Sequence, residues 1–371
     1  MKVIIAAAGT AGHINPGIAI ANKIKEQEPN SEIIFIGTSR GLENDLVPRA
    51  GYKLEKIHAY GLSKKISIEN IKKLYKTFKG YGQTKRIIKD FKPDIVIGTG
   101  GYICGATIMA ANKYNIPTLL HESNAFPGKA VKMLARKTDC ILVSFEDAKT
   151  RIKNAKKIVH TGTPIKIERK DYTESEKINI KTKLNLDVNK PIVLVFGGSQ
   201  GAQAINEAII QIANRKLNSN YQIMWATGPE QYKIIKQEFA DIKLDIESIQ
   251  NMQIVPYIYN MEEVMNISNI IVARSGAMTI TEISNLGKPS ILIPLPNVSN
   301  DHQLYNAKVL EKAGAAKIIL NKDLKADNLN KEIQNIINNP QNMQQMGINA
   351  TKNAVKNVEE KIYNEIKKLV K

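Results

Sequence analysis

Three short stretches combine residues suited to holding an anion: AGTAGH at 8–13, GTGGY at 98–102 and GGSQGAQ at 197–203. Each follows an apolar run and precedes a stretch with helical spacing. Glycine in such a turn lets backbone N–H groups approach a phosphate, and the start of the following helix adds partial positive charge. One such turn is equally read as a plain strand-to-helix connection; three at equivalent places favour phosphate binding. More polar residues sit where apolar runs end: His13, the run His121 to Asn124, Lys166 after GTPI, Glu282 within SGAMTITE, and NDHQ at 300–303. Singly, each reads as a helix cap or a solvated turn residue. Together they suit one pocket for phosphates, hydroxyls and a base. The spacing excludes common nucleotide sites. None of the three turns reads G-x-G-x-x-G, the second apolar run ends FIGTS without an acid for an adenosine ribose, and no GxxxxGK[ST] occurs.

The elements that must position these residues alternate strand and helix. Short continuous apolar runs, among them KVIIAAA, SEIIFIG, KPDIVIG, IPTLLHE, TDCILVS, KPIVLVF, YQIMWA, MQIVPY, NIIVAR and KPSILIP, are separated by amphipathic stretches. This is the pattern of parallel sheets covered on both faces. About ten strands exceed what one doubly wound sheet usually holds. Hydrophobic content falls and charge rises across HTGTPIKIERKDYTESEK, residues 160–177. The expectation is α/β: two Rossmann-like doubly wound domains facing across a cleft, divided as 1–163 and 164–345. A C-terminal helical segment, 346–371, is expected to pack back on the first domain.

The chain has 371 residues and a net charge of +18, a surplus that favours an anionic partner without choosing among nucleic acid, acidic membrane and phosphorylated substrate. Its two cysteines, Cys104 and Cys140, form no CxxC pair, so neither a disulfide framework nor a zinc site is implied. No uncharged apolar stretch approaches the ~18 residues of a membrane span. The N-terminus, a lysine and then VIIAAA, begins as a secretory signal does. Its apolar run is broken at Gly9, Gly12, His13, Asn15 and Pro16, where an h-region would continue, so strand, turn, helix and a cytosolic location are expected.

The motifs AGTAGHINPGIAIA, GTGGYICG, HESNAFPG, GTPI, GGSQGAQAIN, SGAMTITE and DHQLYNA, in this order over nearly the whole chain, resemble those of the MurG family. The resemblance implies a GT-B fold and a bacterial glycosyltransferase that moves N-acetylglucosamine from UDP-GlcNAc to lipid I, forming lipid II for the cell wall. It implies that Thr10, Ala11, Gly12 and Asn124 reach the donor's sugar side, and that Lys166 and Ser199 contact the donor near its phosphates. By the same resemblance, Ile258 would pair with uracil through its backbone. Ala277, Met278, Thr279, Ile280, Thr281 and Glu282 bind diphosphate and ribose, with the Glu282 carboxylate on the ribose hydroxyls, and Gln303 holds sugar hydroxyls. The resemblance also implies that the acceptor diphosphate would fall to Gly9, Gly98, Thr99, Gly100, Gly101 and Tyr102. The chain departs from the family's pattern at Ala8 and Ala11, where glycine is usual, at Lys166, where arginine is usual, and at Ser123, where glutamine is common. Losing the guanidinium fork at 166 loosens phosphate geometry.

The implied reaction is attack of the acceptor C4 hydroxyl on the anomeric carbon with departure of UDP and inversion. It needs a base and stabilisation of charge growing on the diphosphate. No DxD motif is present, so no cofactor is expected. Glycine-loop amides, helix dipoles and Lys166 are left to meet the charge. His13 is the first candidate for the base because imidazole titrates near neutrality; Glu122 is the rival, as base or acceptor clamp. Between Lys53 and Lys92 stand 12 basic and 3 acidic residues, and IKKLYKTFKGY sets Ile71, Leu74, Tyr75 and Phe78 on one helical face against Lys72, Lys73, Lys76 and Lys79. By itself this pattern reads as a core-facing helix with a solvated lysine face. The resemblance favours an interfacial site for anionic inner-membrane lipid, hence a peripheral protein on the cytoplasmic face. The competing functions are a UDP-sugar transferase with another lipid acceptor, such as diacylglycerol, and a nucleic-acid binder. The latter lacks an aromatic stacking platform, with one Trp and 6% aromatic residues; no nucleic-acid partner is expected.

Overall fold

Every residue from Val3 to Ala7 is fully buried, because the strand they form has a helical layer on each face. Successive side chains of a strand point to opposite faces. Val3, Ile5 and Ala7 therefore enter one core with Ile14, Ile18 and Ile24, while Ile4 and Ala6 enter another with Ile103 and Ile108. The computed structural model describes residues 1–61, 67–241 and 245–370. The chain divides into two units, Met1–Ile165 with Val355–Lys371, and Lys166–Ala354.

In the first unit the elements are β1 (Lys2–Ala7), α1 (Ala11–Gln27), β2 (Glu32–Gly37), α2 (Glu43–Arg49), β3 (Lys53–Lys56), α3 (Ile68–Phe91), β4 (Ile95–Gly100), α4 (Ile103–Lys113), β5 (Thr118–Glu122), α5 (Lys129–Leu134), β6 (Cys140–Val143) and β7 (Ile158–His160). The sheet has seven parallel strands in the order β3-β2-β1-β4-β5-β6-β7. The order reverses between β1 and β4, where Val3 to Ala6 pair with Ile95 to Gly98. A C-terminal helix, Val358–Val370, closes this unit by laying Ile362 and Ile366 into the core that holds Ile20 and Ile24. Each of these fully buried side chains contributes roughly 1.5–3 kcal/mol. The Glu28 carboxylate pins the arrangement, accepting hydrogen bonds from the Met1 amine (3.1 Å), the Tyr363 hydroxyl (2.9 Å) and Lys367 (2.8 Å).

In the second unit follow α6 (Glu174–Lys183), β8 (Ile192–Phe196), α7 (Gln203–Asn214), β9 (Gln222–Ala226), α8 (Pro229–Asp241), β10 (Met252–Val255), α9 (Met261–Ile267), β11 (Ile270–Ala273), α10 (Ala277–Leu286), β12 (Ser290–Leu292), α11 (His302–Lys312), β13 (Ala316–Ile318), α12 (Ala326–Ile337) and α13 (Pro340–Thr351). Six parallel strands run in the order β10-β9-β8-β11-β12-β13, reversing between β8 and β11. The largest buried side chain, Trp225, is also satisfied as a donor. Its indole N–H reaches Asn206 Oδ1 (3.0 Å), and the Asn206 amide donates to the Thr227 carbonyl (3.1 Å).

The expected division at 163/164 lies two residues from the observed one, and the return to the first unit begins at Val355 rather than at residue 346. The reason is α13. Gly347 has no Cβ, and one placed there would sit 2.7 Å from the Gly287 carbonyl, so this helix lies close against the end of α10 in the second unit.

Candidate active site

Ligands bind doubly wound sheets at the carboxyl ends of strands where strand order reverses. In the first unit that place is framed by the β1–α1 and β4–α4 turns. Gly9 (φ +97°), Gly100 (φ +138°) and Gly101 (φ +85°) all adopt backbone conformations that L side chains rarely take. The two turns touch through His13. A Cβ on Gly100 would lie 2.3 Å from the His13 ring, and one on Gly101 would lie 2.9 Å from the Ala8 carbonyl oxygen. The buried Thr99 hydroxyl donates to the His13 carbonyl (2.7 Å). Thr10 is the N-cap of α1, and no acidic residue stands in its first turn. His13 Nδ1 lies 3.2 Å from the Ala8 carbonyl oxygen. A carbonyl only accepts, so Nδ1 carries the hydrogen and Nε2 is the lone-pair nitrogen of the neutral ring.

Glu122 ends β5 and is buried. Its Oε1 accepts from the Asn124 amide nitrogens of backbone (2.9 Å) and side chain (3.1 Å), and its Oε2 from Gly128 N–H (2.7 Å). Burial pushes this carboxyl above its ordinary value against the pull of those donors and of His13. Both oxygens thus organise the 122–128 loop and fix Asn124. His121 is a structural imidazole. Its Nε2 donates to the Gly162 carbonyl (3.0 Å), and burial pushes it down to about 4.

In the second unit the β8–α7 turn holds Gly198 (φ +94°), an exposed Ser199 and Gly201 (φ +76°). Gly201 is locked against the neighbouring turn, since a Cβ there would sit 2.0 Å from the Thr227 carbonyl oxygen. Across the reversal point, Gly276 caps α10, whose first turn carries no acid. Of the six residues 277–282, Ile280 is fully buried and the Thr281 hydroxyl donates back to the Ala277 carbonyl (2.9 Å), so neither side chain is offered outward. The amides of Ala277, Met278 and Thr279 and the Glu282 carboxyl remain. Although Glu282 keeps partial solvent contact, burial pushes its carboxyl up to about 7. The start of α10 is tied to α11 by Ser275 Oγ donating to the Gln303 carbonyl (2.8 Å) and Asn306 Nδ2 donating to the Ser275 carbonyl (3.1 Å). Gln303 Oε1 accepts Leu295 N–H (3.0 Å). Ile258 is buried between the exposed rings of Tyr257 and Tyr259, and Lys166 is exposed. Among the described residues no three His, Cys, Asp or Glu side chains converge to hold a metal ion.

Two charged residues escaped the sequence reading. Arg274, after β11, is buried and donates to the Ile293 carbonyl (3.1 Å) and Asn321 Oδ1 (2.8 Å), while its Nε meets no acceptor among the described residues. A charge closing the apolar run IIVAR was its signal. Glu43, at the start of α2, is fully buried, with Gly9 N–H (2.9 Å), Thr38 N–H (3.0 Å) and the Thr38 hydroxyl (2.7 Å) as donors. Burial pushes the carboxyl up, but these donors together outweigh it and hold it below its ordinary value. The Gly9 amide, expected on a substrate diphosphate, is therefore already engaged.

Residues 3–143 match the N-terminal domain of glycosyltransferase family 28, and residues 192–362 match its C-terminal domain. An Acetivibrio thermocellus protein named UDP-N-acetylglucosamine--N-acetylmuramyl-(pentapeptide) pyrophosphoryl-undecaprenol N-acetylglucosamine transferase is 42% identical, covering 100% of this chain and 99% of its own. A Thermoanaerobacter sp. protein of the same name is 43% identical over 100% of both. The crystal structure of Acinetobacter baumannii MurG superposes with a TM-score of 0.79 at 26% identity, covering 99% of each chain. The chain belongs to the MurG branch of glycosyltransferase family 28. The same GT-B fold, at 16% identity and a TM-score of 0.65, is found in Neisseria meningitidis UDP-GlcNAc 2-epimerase bound to UDP-GlcNAc. MurG-branch membership and the two parallel sheets agree on fold class.

Proposed function

We propose that this enzyme transfers N-acetylglucosamine from UDP-GlcNAc to the C4 hydroxyl of the MurNAc of lipid I, with inversion, yielding lipid II and UDP for peptidoglycan synthesis. The observation that carries this is 42% identity over the whole chain with a transferase so named. The names of the two relatives reported above specify a pyrophosphoryl-undecaprenol acceptor rather than diacylglycerol. The acceptor oxygen bonds to the anomeric carbon as the bond from that carbon to UDP breaks, and the hydroxyl proton passes to His13 Nε2. The first unit takes the acceptor, with the turns at 8–13 and 98–102 toward its diphosphate. The second takes the donor: amides at the start of α10 and in the 197–202 turn, with Lys166, meet charge growing on UDP, and Glu282 accepts the ribose hydroxyls. Gln303, Ser199 and the Ile258 backbone, all of the second unit, are assigned to the donor as well.

The same protein docks on anionic lipid through α3. Leu74, Tyr75 and Phe78 are 55%, 72% and 72% exposed, so this face is not covered by the core, and Lys72, Lys76 and Lys79 are exposed beside it. The side chain of Ile71 lies outside the described residues. No helix of the described residues is long and apolar enough to cross a membrane. Inserting a large apolar side chain contributes roughly 1.5–3 kcal/mol, and each lysine near an anionic surface adds about 1 kcal/mol. The test of function is UDP release from UDP-GlcNAc with and without a lipid I analogue; release without acceptor dependence refutes it. Co-sedimentation with phosphatidylglycerol against phosphatidylcholine vesicles tests docking. Equal binding to both, unchanged in Phe78→Glu, refutes that part.

A further inference from the structure

The Ala8–Gly9 peptide group is gripped at both ends. Its N–H donates to Glu43 Oε2 (2.9 Å), and its carbonyl accepts from His13 Nδ1 (3.2 Å). In a trans peptide these two groups point in opposite directions, so carboxylate, peptide and imidazole form one directed chain. Three glycines make room for it. A Cβ on Gly41 would fall 2.1 Å from Glu43 Oε2, one on Gly101 would fall 2.9 Å from the Ala8 oxygen, and Gly9 itself needs its φ of +97°. The grip is reinforced from the same side, because the Leu42 N–H donates to the Gly9 carbonyl (3.3 Å).

We infer that Glu43 is a positioning residue for the transfer reaction, holding His13 through the Ala8–Gly9 peptide so that Nδ1–H is fixed and Nε2 is kept toward the acceptor hydroxyl. A carboxylate behind an amide N–H draws the peptide's electrons toward its oxygen, and hydrogen-bonded chains reinforce one another in this way. The imidazolium formed on proton uptake then sits against an oxygen made more negative. The carboxylate is fully buried, with its oxygens taken by Gly9 and Thr38. The inference rests on the proposed role of His13 as base.

Other ionisable groups around this chain are few. Glu122 faces His13 from the end of β5. Cys104 lies beneath Gly100, its thiol pushed up to about 12 by burial and therefore neutral through the working range. Arg40, from the turn that carries Glu43, is directed instead to the Ala59 carbonyl (2.9 Å) and the Tyr60 ring.

The test is Glu43→Gln in the full-length enzyme. Glutamine keeps the size but presents an NH₂ either to Gly9 N–H or to Thr38 N–H, so one donor faces another. Two measurements are read. In ¹⁵N-histidine spectra His13 loses its Nδ1–H preference, the ring hydrogen spreading to Nε2. In the transferase assay kcat falls roughly tenfold, and the KM for UDP-GlcNAc stays within about twofold. Glu43→Asp, which keeps the charge, restores part of both effects. Should Glu43→Gln not fold, Gly41→Ala displaces the same carboxylate and is read identically. An unaltered His13 tautomer in a folded variant overturns the inference, whatever the activity. A wild-type enzyme inactive on lipid I overturns the proposed function, while the ¹⁵N spectrum still decides whether Glu43 governs His13.

Discussion

The Glu282 carboxyl offers a quantitative check on donor recognition. With its proton lost at about 7, pushed there by burial, it is mixed between neutral and ionised forms in the free enzyme at neutral pH. Ribose hydroxyls donating to it favour the ionised form, so binding releases a proton and affinity rises with pH through 7. About one carboxyl in ten is ionised at pH 6 and about nine in ten at pH 8, so a ligand requiring the carboxylate gains about ninefold in affinity, close to 1.3 kcal/mol. Calorimetric titration with uridine is the clean assay, because the terminal phosphate of UDP itself titrates near pH 6. Glu282→Gln removes a hydrogen bond to a charged acceptor, typically 1.5–3 kcal/mol. At pH 8 it should bind uridine at least tenfold more weakly than wild type, and the two should converge toward pH 6. A uridine affinity that is flat from pH 6 to 8 in the wild type, or a glutamine variant that matches it at pH 8, would refute the assignment.

His13→Ala should lower kcat by ~10²–10⁴, the usual span for a general base, with little change in the KM for UDP-GlcNAc; turnover within a few-fold of wild type removes it from that role. Gly201→Ala puts a Cβ 2.0 Å from the Thr227 oxygen at φ +76°, whereas Gly198→Ala, at φ +94°, meets nothing within 4 Å. The first should cost about 3 kcal/mol and the second about 1 kcal/mol, an order readable from apparent melting temperatures. The Glu28 carboxyl is held down to about 2 by the Lys367 hydrogen bond foremost, against the effect of burial, with help from Tyr363 and the Met1 amine. A depressed carboxyl contributes stability above its unfolded value near 4.5 that disappears as pH falls toward 2. Solvent access reduces this to about 1 kcal/mol. Glu28→Gln should therefore loosen the C-terminal helix at pH 7, seen as faster amide exchange over 358–370, and behave like wild type near pH 2.

Much of this was legible in the residues. Strands buried on both faces announce themselves as unbroken apolar runs, so β1, β4, β8 and β11, which frame both reversal points, were readable. The missed strands are β3, KLEK, and β13, AKI, at the sheet edges, where half-exposed side chains leave no apolar run to detect. Glycine turns were visible as composition. What was hidden is which amides remain free: Gly9 N–H is held by a carboxylate 34 positions away, and such pairing has no local signature. Gly37, Gly41 and Glu43 together were the available clue, two glycines without side chains around an acid that fills the space they leave. The resemblance places Ile280 and Thr281 in the run that meets diphosphate and ribose without saying which side chains are free, and helical geometry turns the first inward and bonds the second to its own backbone.

The C-terminal helix has a consequence for synthesis. Ribosomes deliver the first sheet early, yet Ile20 and Ile24 on α1 find Ile362 and Ile366 only after the whole second unit has been made. Until then the nascent first unit carries an uncovered greasy strip, a natural place for a holding chaperone. Premature termination shortly before residue 358 would leave the second unit whole and cripple the first.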